Sequence, residues 1–296
     1  MANQQTKHLI VIAGPTAVGK TAFAIRVAKY FNTEIISCDS RQLYKELKIG
    51  VARPSREELA EVPHHFIASQ SIHHNYDAGT YARDVDSKLK ELFAHHDTVI
   101  MTGGTGLYIK AATEGLDALP PQNQQLRQQL NFILNSEGIE ALQAIGEGAG
   151  ISREKVDFAN PQRLTRAIEI AQSEIEKKDT EPIVKDYRTS YYYIDKDRTV
   201  LYERINKRVD NMLAEGFEEE ARRVYPNKNL NALNTVGYKE FFRYFDGEVT
   251  RDHAIEKMKQ HTRNYAKRQL TWFRNQGNYT KISANLDDFL KQLEAK

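Results

Sequence analysis

His8-Leu-Ile-Val-Ile-Ala-Gly14-Pro-Thr-Ala-Val-Gly19-Lys20-Thr21 settles the fold class before any other stretch is read. The apolar run from His8 to Ala13 shows no alternation, the pattern of a strand buried on both faces of a parallel sheet. It stops at a glycine, and Gly14 to Thr21 then matches the spacing G-x-x-x-x-G-K-[ST]. From Thr21 to Phe31 the apolar residues Phe23, Val27 and Phe31 recur every four positions, as on a helix. Strand, glycine loop and helix in that order build a phosphate cradle. Glycines let successive backbone N–H groups turn toward one anion, and the helix N-terminus adds partial positive charge. Gly14, Pro15, Thr16, Ala17, Val18, Gly19, Lys20 and Thr21 are therefore the expected diphosphate- or nucleotide-binding residues. Within them Lys20 reaches the terminal phosphate and the Thr21 hydroxyl holds Mg2+.

Outward from the loop the alternation continues. Glu34–Cys38 reads as a second buried strand, Tyr81–Phe93 as an amphipathic helix, and Thr98–Met101 as a third strand stopped by Gly103-Gly104. Strands separated by helices predict an α/β, P-loop NTPase-like core with a parallel sheet flanked by helices. The pattern breaks at Asp117-Ala-Leu-Pro-Pro-Gln-Asn123, a linker-like stretch. After it Leu126, Leu130, Ile133 and Leu134 form a helical stripe. Another helix starts at Asn160-Pro161, an N-cap followed by proline at the first helical position, with Leu164, Ala167, Ile168 and Ala171 inward. The sheet resumes at Thr189–Asp195, where the tyrosines 191–193 alternate across a strand, and helices are expected over 198–224, 236–245, 250–275 and 285–294. The expected organisation is an all-α insertion domain at 118–188 within a catalytic core of 1–117 and 189–296.

Composition narrows the class of protein. In 296 residues, 40% hydrophobic and 28% charged, wholesale disorder is excluded. The longest apolar run, Leu9–Ala13, is far below the roughly 20 residues of a membrane span and too short for a signal-peptide core. A lone cysteine, Cys38, excludes an intrachain disulfide framework, and it reads as a buried strand residue. The histidine pairs 64–65, 73–74 and 95–96 lack H-E-x-x-H spacing, so zinc is not expected. A monomeric cytoplasmic protein without a membrane partner is the expectation. Net charge is only +2, yet Lys257, Lys259, Arg263, Lys267, Arg268 and Arg274 fall in eighteen residues without an acid. Such clustering suits RNA phosphates, although a charge run is more often a solvated face.

The loop does not name its polyphosphate. The strand ending at Met101 runs into Thr102-Gly-Gly104, where many nucleotide hydrolases place a metal-binding aspartate, while Asp39 follows the second strand. Asp39 either organises a metal, as in a small-molecule kinase using ATP, or faces an acceptor substrate as a base. A non-catalytic RNA-binding module with a vestigial loop is the third reading, and the intact Gly14, Gly19, Lys20 and Thr21 oppose it.

Five ordered segments carry a resemblance: Gly14–Thr21, Asp39-Ser-Arg-Gln42, Gly103-Gly-Thr-Gly-Leu-Tyr108, Asn160-Pro-Gln-Arg-Leu-Thr-Arg166 and Lys267-Arg-Gln-Leu-Thr-Trp-Phe-Arg274, with Val236-Gly-Tyr-Lys239 before the last. Together they resemble the tRNA dimethylallyltransferase family over nearly the whole chain. The resemblance implies transfer of a dimethylallyl group from dimethylallyl diphosphate to N6 of adenosine-37, 3′-adjacent to the anticodon, with release of diphosphate. It implies Asp39 as the base, Thr16 near the diphosphate's bridging oxygen, and Thr105 and Arg127 against the reacting tRNA. Asp39, Ser40, Arg41 and Gln42, with Gln162, Arg163, Leu164, Thr165 and Arg166, match tRNA-contacting segments. Arg263, Lys267, Arg268 and Arg274 are expected to grip the anticodon stem-loop, and Arg208 to help clamp the diphosphate. Tyr265 and Trp272 read as core. Gly106 departs from the family's bulkier residue, which predicts a looser local backbone.

Overall fold

The computed structural model describes residues 7–116, 120, 123–173, 185–276 and 278–295. The phosphate-loop segment forms β1 (Lys7–Ala13) and α1 (Lys20–Tyr30). After it come β2 (Ile35–Ser37), α2 (Arg56–Glu61), β3 (His64–His65), α3 (Ala78–Phe93), β4 (Thr98–Gly103) and α4 (Gly106–Thr113). The six strands form one sheet in the order β3-β2-β4-β1-β5-β6, in which β5 is Tyr187–Ile194 and β6 is Thr280–Ile282. Every pairing is parallel.

β1 lies inside the sheet, and its residues divide between two apolar layers. Leu9, Val11 and Ala13 pack with Val99, Met101, Tyr81, Val85 and Leu89 on one face. Ile10 and Ile12 pack with Phe23, Val27, Leu201, Ile205 and Phe289 on the other. Burial on both faces is why the sequence shows a continuous apolar run there. The tyrosine run in β5 obeys the same alternation, since Tyr192 joins the second layer while Tyr191 and Tyr193 join the first.

Contacts divide the chain into two compact units, Met1–Gly115 with Val184–Lys296, and Leu116–Ile183. The second unit is helical: α5 (Gln124–Glu137), α6 (Ile139–Gly148) and α7 (Pro161–Ala171) enclose Leu130, Leu142, Phe158, Leu164 and Ile168. Asn160 caps α7 by accepting from the Arg163 N–H, with Pro161 at the first turn. The linker expected over 117–123 lies largely outside the described residues.

The remaining helices belong to the first unit: α8 (Arg198–Ala214), α9 (Phe217–Val224), α10 (Tyr238–Phe245), α11 (Arg251–Asn275) and α12 (Leu286–Glu294). The single helix expected over 198–224 is broken at Gly216, whose φ of 94° ends α8 and starts α9. Helix α10 starts at Tyr238 rather than at 236, because Gly237 has a φ of 96°. Among the described residues no helix is long and apolar enough to cross a membrane.

Candidate active site

The loop between β1 and α1 is shaped by its backbone. Gly14 has a φ of 149°, and a Cβ there would stand 2.8 Å from the Ile194 carbonyl oxygen of β5. A side chain at this position would push the loop off the sheet. Lys20 folds back over the loop, its Nζ donating to the Pro15 carbonyl at 2.7 Å. Burial holds its ammonium down at about 8; Asp39 opposes that shift and Arg208 adds to it. Helix α8 supplies two arginines one turn apart: Arg204 donates to the Val18 carbonyl at 3.2 Å, and Arg208 to the Thr16 hydroxyl at 3.0 Å. Two half-buried cations, Lys20 and Arg208, and one carboxylate therefore meet at the loop, a balance that favours an anion there.

Asp39 heads the turn after β2. Its Oδ1 accepts the Arg41 N–H at 2.9 Å and the Gln42 N–H at 3.4 Å. Ser40 donates its N–H to the Thr105 hydroxyl at 3.1 Å, and that hydroxyl donates to Ser40 Oγ at 3.3 Å. Thr105 thus fixes the Asp39 turn from the end of β4. Tyr265 on α11 lies beside Thr105, and burial together with nearby Asp39 pushes its phenol up to about 12. Cys38, the neighbour of Asp39, is fully buried, and burial pushes its thiol far up, which leaves it unreactive.

Several residues of the expected site have partners within the protein. Arg41 donates to the carbonyls of Asn231 and Ala232, both at 3.0 Å, and Gln42 donates to those of Val51 and Ala52. Both side chains pin backbone of the first unit. Leu164 and Thr165, expected among the RNA contacts, are buried in α7, whereas Gln162 and Arg163 beside them are exposed. Arg127 and Arg166 converge on buried Glu169: Arg127 binds both its oxygens, at 2.7 and 2.8 Å, and Arg166 adds a bond at 3.1 Å. Burial pushes the Glu169 carboxyl up, but these hydrogen bonds outweigh it and leave it below its ordinary value. The structure thus joins Thr16, Lys20, Asp39, Ser40 and Thr105 in one unit, and places Arg127 and Arg166 in the other.

Tyr265 and Trp272 are half-buried and look onto the loop after β4, so Tyr265 is a site residue and not simply core. The backbone at Gly106 is not loose. A Cβ there would stand 2.1 Å from Trp272 Nε1, so the indole fills the volume a larger residue would take. The basic stretch of α11 is less bare than its sequence: Lys259 pairs with Asp210 at 2.8 Å, Arg274 with Asp195 at 2.7 Å, and Arg263 donates to Asn206 at 2.6 Å. Lys267 and Arg268 are exposed and carry no ion pair among the described residues. Sequence reasoning missed Gln269, whose amide touches both Thr16 and Gly104. Its place inside the Lys267–Arg274 segment was the only signal.

A parallel sheet whose inner strand ends in a glycine loop of P-loop spacing, with an aspartate-bearing turn locked beside it, defines a P-loop α/β protein. Residues 42–276 match the IPP transferase family, and the chain belongs to that family. It is a transferase. The chain is 48% identical to the tRNA dimethylallyltransferase of Christiangramia forsetii and 44% identical to that of Flavobacterium johnsoniae. The first match covers 91% of each chain and the second 92% of each. It also resembles the crystal structure of the tRNA isopentenylpyrophosphate transferase of Bacillus halodurans, with 32% identity and a TM-score of 0.72, over 98% of this chain and 95% of that one.

Proposed function

We propose that this protein transfers the dimethylallyl group of dimethylallyl diphosphate to N6 of adenosine-37 in tRNA and releases diphosphate. The observation that carries the reading is the meeting of Lys20, Arg208 and Asp39 at one loop. In the reaction the allylic C1–O bond breaks and a C1–N6 bond forms. The electron pair leaves with diphosphate, and one N6 proton passes to Asp39. An exocyclic adenine amine is a weak nucleophile because its lone pair is delocalised, and a carboxylate that takes its proton as the bond forms compensates. Lys20, Arg208 and the loop amides face the charge that gathers on the leaving group.

Among the described residues no group of three or more His, Cys, Asp or Glu side chains gathers. A metal would therefore be held by the Thr21 hydroxyl and by the substrate's own oxygens, a donor set suited to Mg2+. Bound there, Mg2+ would add charge neutralisation at the diphosphate. The end of β4 bears Thr102, whose hydroxyl donates to the Ile12 carbonyl, and Gly103, so the carboxylate of an ATP-using kinase has no counterpart on that strand.

The acceptor base must leave the anticodon-loop stack, at a cost of a few kcal/mol that contacts to the rest of the loop offset. Lys267 and Arg268 in the first unit, and Gln162 and Arg163 in the second, are side chains of the expected set that are exposed and so open to such contacts. Incubation with labelled dimethylallyl diphosphate, Mg2+ and anticodon stem-loops tests the reading, which label transfer to RNA supports and absence of transfer rejects. Asp39→Ala should slow transfer at least about a hundredfold and leave stem-loop binding intact. An unchanged rate removes Asp39 from the reaction.

A further inference from the structure

Helix α11 turns three side chains toward the site, Tyr265, Gln269 and Trp272, spaced by four and three and so on one side of the helix. Each meets one step of the loop after β4. Tyr265 stands beside Thr105, and Trp272 covers Gly106. Gln269, between them, is buried and uses both ends of its amide. Its Oε1 accepts the Thr16 N–H at 2.9 Å, and its Nε2 donates to the Gly104 carbonyl at 2.8 Å.

The neighbours are shaped around this amide. A Cβ on Gly104 would stand 2.1 Å from Gln269 Nε2. Gly104 has no left-handed φ, so it is the close approach of the amide, and not backbone torsion, that requires glycine. Thr16 is gripped from two sides, its N–H by Gln269 and its hydroxyl by Arg208. One bond accepts and the other donates, which a carboxylate or a thioether of the same length cannot reproduce.

We infer that Gln269 is a positioning residue for group transfer. It sets the separation between the phosphate loop, which holds the leaving group, and the Gly104–Thr105 turn, which holds Asp39 in place through Ser40. This rests on the prenyl-transfer reading above. Transfer needs the attacking nitrogen about 3–3.5 Å from the allylic carbon, and a misplacement of about 1 Å costs on the order of a hundredfold. Two glycine-bearing loops have little stiffness of their own. A single amide bonded to both supplies the missing constraint and ties it to the helix that carries Lys267 and Arg268.

The test uses the full chain, dimethylallyl diphosphate and an anticodon stem-loop, with single-turnover rates at saturation and dissociation constants for diphosphate and stem-loop. Gln269→Met and Gly104→Ala should each lower the single-turnover rate about 30- to 100-fold, with both dissociation constants within about threefold of wild type. Once Gln269 is replaced by alanine, Gly104→Ala should cost less than about threefold more, because the clash has gone. Rates within about threefold of wild type, losses that follow weakened binding or a lowered folded fraction, or additive losses in the double variant would each overturn the inference. Should Gln269→Met not fold, Gly104→Ala alone and in the alanine background decides. A wild-type protein that transfers nothing brings down the functional reading itself, whereas normal transfer by the variants removes only Gln269.

Discussion

His8 is the second residue of β1, the strand that ends in the phosphate loop, and it makes the fold sensitive to acid. Its side chain is 4% exposed, with Nε2 2.9 Å from Ser190 Oγ on β5. Burial, with Arg188 adding to it, holds the imidazole at about 4 against an ordinary 6.5. A base whose folded pKa is lowered binds fewer protons in the native state than in the unfolded one. This contribution to stability is therefore complete above pH 6.5 and is lost as the pH falls through about 4, below which both states are protonated. At roughly 1.4 kcal/mol for each tenfold change in the binding constant, the loss is at most about 3.5 kcal/mol. Solvent screening near the start of the strand brings it to about 2. Urea unfolding at steps between pH 7.5 and pH 4 measures it. His8→Gln keeps a polar partner for Ser190 and removes the titration. The wild-type curve should therefore fall about 2 kcal/mol further than that of the variant between pH 6.5 and pH 4. Parallel curves would mean that His8 binds its proton equally well in the native and unfolded states and that the account of its burial is wrong.

Glu220 is buried and accepts the N–H groups of Lys48, Ile49 and Gly50 and the Tyr238 hydroxyl, so Glu220→Gln, which turns a donor toward those N–H groups, should lower unfolding free energy by about 2–4 kcal/mol in urea titrations. Gly106→Ala should displace the Trp272 indole, cost about 1–3 kcal/mol and shift the fluorescence of the chain's single tryptophan; an unshifted spectrum would contradict the packing. Lys267→Met should reduce the slope of log affinity against log salt for the anticodon stem-loop by about 0.7–0.9. Lys259→Met, whose charge already faces Asp210, should leave that slope nearly unchanged.

Much of this was legible because buried parallel strands and phosphate loops write themselves locally. The unalternating run at β1, the glycine spacing after it and the Asn160-Pro161 cap each depend on a few adjacent residues. What escaped depends on neighbours distant in sequence. β3 has two residues and β6 three, too few for any periodicity, and they are strands only because β2 and β5 pair with them. Helix α4 begins directly after Gly103-Gly104-Thr105, where the glycines read as a stop. Arg41 and Gln42 looked free because the carbonyls that hold them belong to other segments.

The same limit governs the basic helix, where the sequence window counts only charges on one element. Asp210 on α8 and Asp195 after β5 approach α11 from outside that window and take up Lys259 and Arg274. What remains exposed and unpaired among the described residues, Lys267 and Arg268, stands within two residues of Gln269. By helical spacing Lys267 lies on the side of α11 away from Gln269, along with Leu270, Thr271 and Arg274, which line a cavity of about 410 Å3. Helix α11 thus presents one face to solvent and the other to the phosphate loop and the Asp39 turn. A packed helix moves as a rigid element, so a load on Lys267 that shifted α11 would shift the Thr16 and Gly104 contacts with it. On the proposed reading, in which RNA meets Lys267, its binding and the loop geometry would be coupled through one amide. The coupling predicts that stem-loop binding alters hydrogen exchange at the Thr16 N–H in the wild type and loses that effect in Gln269→Met.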